Sequence, residues 1–153
     1  MRDDSPHVRV FPARLGAVPE VSEFAGDAAR AAGFDRDTRL RLTLLVEELF
    51  TNTVAHGHGG DSEKPVRVAF DVTPGRVALT YEDTGPEHDP FAAIDAPDAT
   101  AGVEERRVGG LGVILVAAMA SGVEYRRVEG RNRISLVITA PPASRHDPGP
   151  CPC

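Results

Sequence analysis

The chain has 153 residues, 41% of them hydrophobic, two cysteines and a formal net charge of −6. That length suits one domain with a core of its own, and an acidic chain without a basic stripe is not expected to bind nucleic acid directly. No apolar run approaches the roughly 20 residues of a membrane-spanning helix, and MRDDSPHVRV lacks the apolar stretch of a signal peptide, so no membrane association and a cytoplasmic protein are expected.

In chain order, HVRVFPARL (7–15) alternates partly and predicts a strand that Pro12 confines to a sheet edge or a bulge. A helix is expected over 19–32, with Pro19 in its first turn and Gly33 as its stop. Its apolar residues Val21, Phe24, Ala25, Ala28, Ala29 and Ala32 fall at helical spacing. Asp35-Arg36-Asp37-Thr38 opens a second, longer helix with acids in its first turn. There Leu42, Leu45, Val46, Leu49, Phe50 and Val54 form one stripe, and Gly57-His58-Gly59-Gly60 ends it. Strands over 66–72 and 76–82 flank a Thr73-Pro74-Gly75 turn. Residues 84–108 have poor periodicity and many acids; an unstructured stretch of that length points to a functional lid. Gly109-Gly110-Leu111-Gly112 then opens an apolar helix over 113–120. Strands over 123–128 and 133–139 flank a Glu129-Gly130-Arg131-Asn132 turn. Helices segregated against strands, rather than alternating with them, describe an α/β two-layer sandwich: a mainly antiparallel mixed sheet covered on one face by about three helices. The domain is expected over 1–140. Residues 141–153, which contain Cys151 and Cys153, read as a disordered Pro-rich tail, and a Cys-x-Cys pair without further ligands is a weak metal signal.

Three groups of residues carry chemistry. Glu48, Asn52 and His56 recur at i, i+4 and i+8 and form a row bordering the apolar stripe, with Glu47 on the other side of the helix. A carboxylate, an amide and an imidazole at a core's edge cost free energy unless something pairs with them. A ligand does so: a Glu polarises a hydroxyl, and an Asn oxygen sits on magnesium. The plainer alternative is a helix edge with Glu48 bonded to Asn52. Asp83 ends an alternating strand, where it suits an exocyclic amine such as that of adenine, and Gly85 lets a ring approach the backbone. An ordinary Asp-x-Gly turn is the alternative. Gly109, Gly110 and Gly112 before a helix make an anion site of backbone N–H groups, or else a hinge. No Gly-Lys-Ser/Thr follows, so this is not a P-loop, and no strand of a βαβ unit precedes it. Arg126, Arg127, Arg131 and Arg133 are the one arginine cluster, either guarding a sheet edge or meeting an acidic partner.

The order of these groups is more specific than any one of them. LLVEELFTNTVAHG, YEDTGPEHDPF and GGLGVILVAAMASGVEYRRVEGRNRISLVI resemble, in order and spacing, the N-box, G1 box and G2 box of the anti-sigma-factor serine-protein kinases. Their histidine-kinase-like ATPase (Bergerat) fold is shared with gyrase and the sensor histidine kinases. The resemblance covers about residues 8–138. It implies Glu48 as general base toward a seryl hydroxyl, Asn52 as ligand of Mg²⁺, Asp83 on the adenine amine and Gly85 shaping the base pocket. Gly109, Gly110 and Gly112 would wrap the triphosphate of ATP, and positioning and charge neutralisation would drive phosphoryl transfer. It further implies a sigma factor and an anti-sigma-factor antagonist as partners, and a homodimer, for which the edge strand around 8–14 is the segment to pair.

The chain also departs from the family pattern. Glu87 stands where a fuller G1 box has a second glycine, as is frequent in this branch, and Asn132-Arg133 replaces a Gly-Thr that helps hold adenine. The lid is acidic, with Glu87, Asp89, Asp95, Asp98, Glu104 and Glu105 against Arg106 and Arg107 at its end. No phosphoacceptor-histidine region is present, so a complete sensor kinase is not expected. Three functions follow in order: a kinase acting on an antagonist, a nucleotide-dependent binding module without turnover, and a domain that binds no nucleotide.

Overall fold

A computed structural model describes residues 7–57, 59–91 and 120–141. Strand β1 (His7–Pro12) leads through a single 3-10 turn, Leu15–Ala17, into helix α1 (Val18–Ala31). Helix α2 (Arg36–Asn52) continues into a π-helical turn, Thr53–Gly57. Strands β2 (Pro65–Thr73), β3 (Arg76–Asp83), β4 (Ala120–Val128) and β5 (Arg131–Thr139) follow. The five strands form one sheet in the order β1-β2-β3-β5-β4, and all four described pairings are antiparallel. β1 is an edge, as Pro12 requires.

Local chemistry sets the ends of these elements. Pro19 stands in the first turn of α1. Beyond its last residue Gly33 takes a φ of 74°, and the N–H groups of Gly33 and Phe34 bond the carbonyls of Arg30 (2.9 Å) and Ala29 (3.1 Å). That is a Schellman cap, which requires a left-handed residue at this position. α2 is capped by Asp35, whose carboxylate accepts the Thr38 N–H at 2.8 Å. Between β2 and β3 the turn is Pro74-Gly75, with Gly75 at φ 74°, the arrangement of a type II turn.

The helices cover one face of the sheet. Val66, Val68 and Phe70 of β2, Val77, Leu79 and Tyr81 of β3, and Ile134, Leu136 and Ile138 of β5 are buried at every second position. They meet Val21, Ala25, Ala28 and Ala29 of α1 and Leu42, Leu45, Val46, Leu49 and Phe50 of α2. Phe11 meets Phe50 edge-on at 6.5 Å and Phe24 at 6.0 Å. The other face carries the buried Glu82, ringed by Arg133 at 2.8 Å, Arg131 at 3.7 Å and Arg67 at 4.0 Å. Arg126 pairs with Glu124 at 2.6 Å. Three of the four clustered arginines therefore have carboxylate partners within the chain.

Two boundaries differ from expectation. β4 begins at Ala120, where the sequence had suggested a helix end: Ala120 pairs with Ile138 across a bulge between Ser121 and Glu124. Gly122, at φ 61°, permits that irregularity. The last turn has only two central residues, Glu129 (φ 50°) and Gly130 (φ 78°). Both are left-handed, as a type I′ hairpin requires, so Val128 pairs directly with Arg131 and Asn132 moves from the turn into β5. The expected third helix, most of the lid, the Gly109–Gly112 turn and the tail from residue 142 lie outside the described residues.

The Asp35 cap has a pH signature. Its hydrogen bonds to Thr38 hold its carboxyl below the ordinary value of 3.8. A lowered folded value means the stabilisation is complete above the ordinary value and is lost as pH falls through the folded one. Asp35→Ala should therefore lower the urea midpoint at pH 7, and the gap from the wild type should narrow at pH 3.

Candidate nucleotide site

The site forms where the end of α2 meets the ends of β3 and β5. The apolar stripe of α2 seats it on the sheet. On one flank Glu47 accepts a 2.7 Å hydrogen bond from the Ser22 hydroxyl of α1. On the other flank Glu48 is half-buried, and among the described residues it makes no hydrogen bond to Asn52. At Thr53 the helix widens into its π-helical turn, a distortion common at functional sites. Asn52, Thr53 and His56 all line one cavity.

Opposite them, strand alternation puts Tyr81 and Asp83 on the same inward face. Asp83 is 8% exposed. Its Oδ1 accepts from the Gly85 N–H (2.9 Å) and the Asn132 amide (2.8 Å), and its Oδ2 accepts from the Thr53 hydroxyl (3.0 Å). Thr53 Oγ1 lies 2.6 Å from the Tyr81 hydroxyl, which also reaches the Leu49 carbonyl at 3.1 Å. Burial first, and then the Asp83 charge, push the Tyr81 phenol far above its ordinary value, against the opposing Thr53 hydrogen bond. It stays protonated, within reach of Thr53 Oγ1 and the Leu49 carbonyl, while the Thr53 hydroxyl has the Leu49 carbonyl (3.0 Å) and Asp83 Oδ2 as acceptors.

The cavity measures about 230 Å³, with Leu49, Pro86, Pro90 and Ile134 as apolar walls and two carboxylate residues, Asp83 and Glu87, in its lining. A carboxylate offers about four lone-pair sites. Three donors occupy three of them, which leaves one acceptor on Oδ2. A slot with apolar walls and one free acceptor on its buried carboxylate suits a flat heterocycle that carries an N–H donor.

Of the residues singled out from sequence, Asn52 and Asp83 come together on the cavity wall. Gly85 stands beside it through its bond to Asp83. Glu48, one turn before Asn52, is not on the wall. Gly109, Gly110 and Gly112 lie outside the described residues. Sequence reasoning missed Thr53, Tyr81 and the placement of Asn132. The period-2 rule puts Tyr81 beside Asp83, but nothing local marks Thr53 as its donor. Among the described residues no group of three or more His, Cys, Asp or Glu is placed to hold a metal.

Residues 11–138 match the family model described as histidine kinase-like ATPase domain. The serine-protein kinase RsbW of Listeria monocytogenes serovar 1/2a is 28% identical over 118 residues, 75% of this chain and 73% of that protein. The protein of the same name from Listeria innocua serovar 6a is 27% identical over the same shares. Among solved structures, the SiaB–SiaC complex from Pseudomonas aeruginosa gives a TM-score of 0.59 at 15% identity, over 86% of this chain and 87% of that one. The RsbU and RsbW domains of Rv1364c from Mycobacterium tuberculosis give 0.56 at 16% identity, over 89% of this chain but only 33% of that longer one. At such identities these two structures share the fold.

Thr53→Val removes the one hydroxyl that joins Asp83 to Tyr81, at a buried position. Tyr81 keeps the Leu49 carbonyl, but the Asp83 Oδ2 loses its donor, which should cost about 1–3 kcal/mol of stability, read from urea unfolding with the slope unchanged.

Proposed function

This chain belongs to the histidine kinase-like ATPase domain family, and on that premise we propose that it binds Mg·ATP and phosphorylates a serine of an anti-sigma-factor antagonist. Sequestering a sigma factor is the second half of the proposed role. The observation that carries the nucleotide reading is the single free acceptor of Asp83 in a cavity walled by Leu49 and Ile134 and also lined by Asn52. Asp83 receives the adenine amine, and Gly85 keeps the backbone clear of the ring. The Asn52 oxygen is a hard ligand of the kind Mg²⁺ takes when phosphates and water fill the rest of its shell. Glu48, half-buried one turn earlier, takes the proton of the seryl hydroxyl as general base. Gly109, Gly110 and Gly112 supply backbone N–H groups to the phosphates. Bound Mg·ATP supplies the transferable phosphoryl group. Similarity to proteins named serine-protein kinase RsbW supports the kinase reading.

A binding module without turnover is the second reading, and one observation favours it: Glu48 is off the cavity wall. The two separate by experiment. ATP at about 100 times its dissociation constant should stabilise the fold by about 2.7 kcal/mol, and no thermal shift at millimolar Mg·ATP would dismiss both. Glu48→Gln should keep the shift and abolish phosphate transfer to an antagonist encoded nearby. A wild type that binds ATP yet transfers nothing leaves the binding module standing.

A further inference from the structure

Asn132 is 4% exposed, yet it carries a full set of polar contacts. Its Oδ1 accepts from the Tyr125 hydroxyl at 2.6 Å, Arg127 Nη1 at 3.1 Å and the His88 N–H at 3.2 Å. Its Nδ2 donates to Asp83 Oδ1 at 2.8 Å and to the Pro86 carbonyl at 2.8 Å, with the Gly85 carbonyl at 3.4 Å. The amide orientation is over-determined: donors surround its oxygen and acceptors surround its nitrogen. Turned over, it would set its oxygen against the Asp83 carboxylate and its N–H groups against Arg127. Arg127 adds a second tie, from Nη1 to the Gly85 carbonyl at 2.7 Å.

We propose that Asn132 is the positioning residue that gives the base pocket its selectivity for a purine bearing an amino group over one bearing a keto group. The proposal rests on the nucleotide reading above. The saturated amide has no hydrogen bond left for a ligand, so it acts through Asp83. By capping Oδ1 it leaves Oδ2 alone as the acceptor, and with Gly85 and Thr53 it pins a carboxylate torsion that is otherwise broad. A base edge meeting Asp83 must then donate. Without the Asn132 amide, a water takes its place and the carboxylate turns. Water presents either a donor or an acceptor, so a keto oxygen is no longer refused.

The test compares ATP with ITP, which has oxygen in place of the 6-amino group, in equilibrium binding to the full chain. The wild type should favour ATP by about tenfold or more, the usual scale of a lost or opposed buried hydrogen bond. Asn132→Ala should bring the ratio to about threefold or less while both triphosphates still bind. A merely structural role would weaken both nucleotides equally, and an unchanged ratio overturns the proposal. Should that variant not fold, Tyr125→Phe on the edge strand β4 replaces it. Removal of a donor from Asn132 Oδ1 should lower the ratio, and a wild-type ratio again counts against the idea. The clamp also has a ligand-free readout. In the nucleotide-free wild type the Asn132 side-chain amide protons should exchange with solvent far more slowly than those of an exposed Asn, and fast exchange would overturn it. Failure of the wild type to bind ATP at all defeats the nucleotide reading, whereas an unchanged ratio with ATP bound defeats only the role of Asn132.

Discussion

A carboxylate that is nearly out of water must be given donors, and Asp83 draws them from three separate parts of the chain. Thr53 reaches it from the turn after α2, Gly85 from the segment following β3, and Asn132 from β5. The helix layer and the sheet layer are thus joined by side-chain polar contacts at this end, and by the Gly75 N–H to Ala32 carbonyl bond (2.8 Å) at the β2–β3 turn, around a core of apolar side chains. Buried polar groups are costly when half satisfied and rigid when fully satisfied. Asp83 is satisfied to within one acceptor, and that acceptor belongs to a residue lining the cavity. The architecture positions it simply by ending β3 where α2 ends.

Much of the fold was legible because its local signals agree. The Pro-to-Gly frame of α1, the Asp35 cap and the Pro74-Gly75 turn each have one dominant backbone solution, and the structure adopts it. The stripe on α2 and the alternation in β3 place the core without ambiguity. The misplaced boundaries have physical causes too. Ala120 closes an apolar run that reads as a helix with Ser121-Gly122 as its stop, and only long-range pairing with β5 makes these residues a strand. Glu129-Gly130-Arg131-Asn132 contains two turn formers, Gly130 and Asn132, and a left-handed Glu129 closes the turn before Asn132 is needed.

That second misreading hid the most connected side chain of the site. As a turn residue, Asn132 is merely an altered family position; as a strand residue opposite Asp83, it is a buried amide facing a carboxylate. Spacing within one helix or strand singled out Asn52 and Asp83, which both line the cavity. It could not find Thr53 or Asn132, whose partners are 30 and 49 residues away in the chain. The arginine cluster is instructive in the opposite sense. Seen as a run it allows a guarded sheet edge or an acidic partner, and in the fold Arg131 and Arg133 close on Glu82 while Arg127 bonds the Gly85 carbonyl.

The π-helical turn Thr53–Gly57 sets stability and geometry against each other. Its wider winding is a poorer helix than the one it ends, yet Asn52, Thr53 and His56 all line the cavity. A regular α-helix turns about 100° per residue and a π-helical turn less, so rewinding Thr53–Gly57 as α-helix without changing its length would swing His56 around the axis relative to Asn52. Robustness alone favours that rewinding and the pocket opposes it. In this turn the two demands pull in opposite directions.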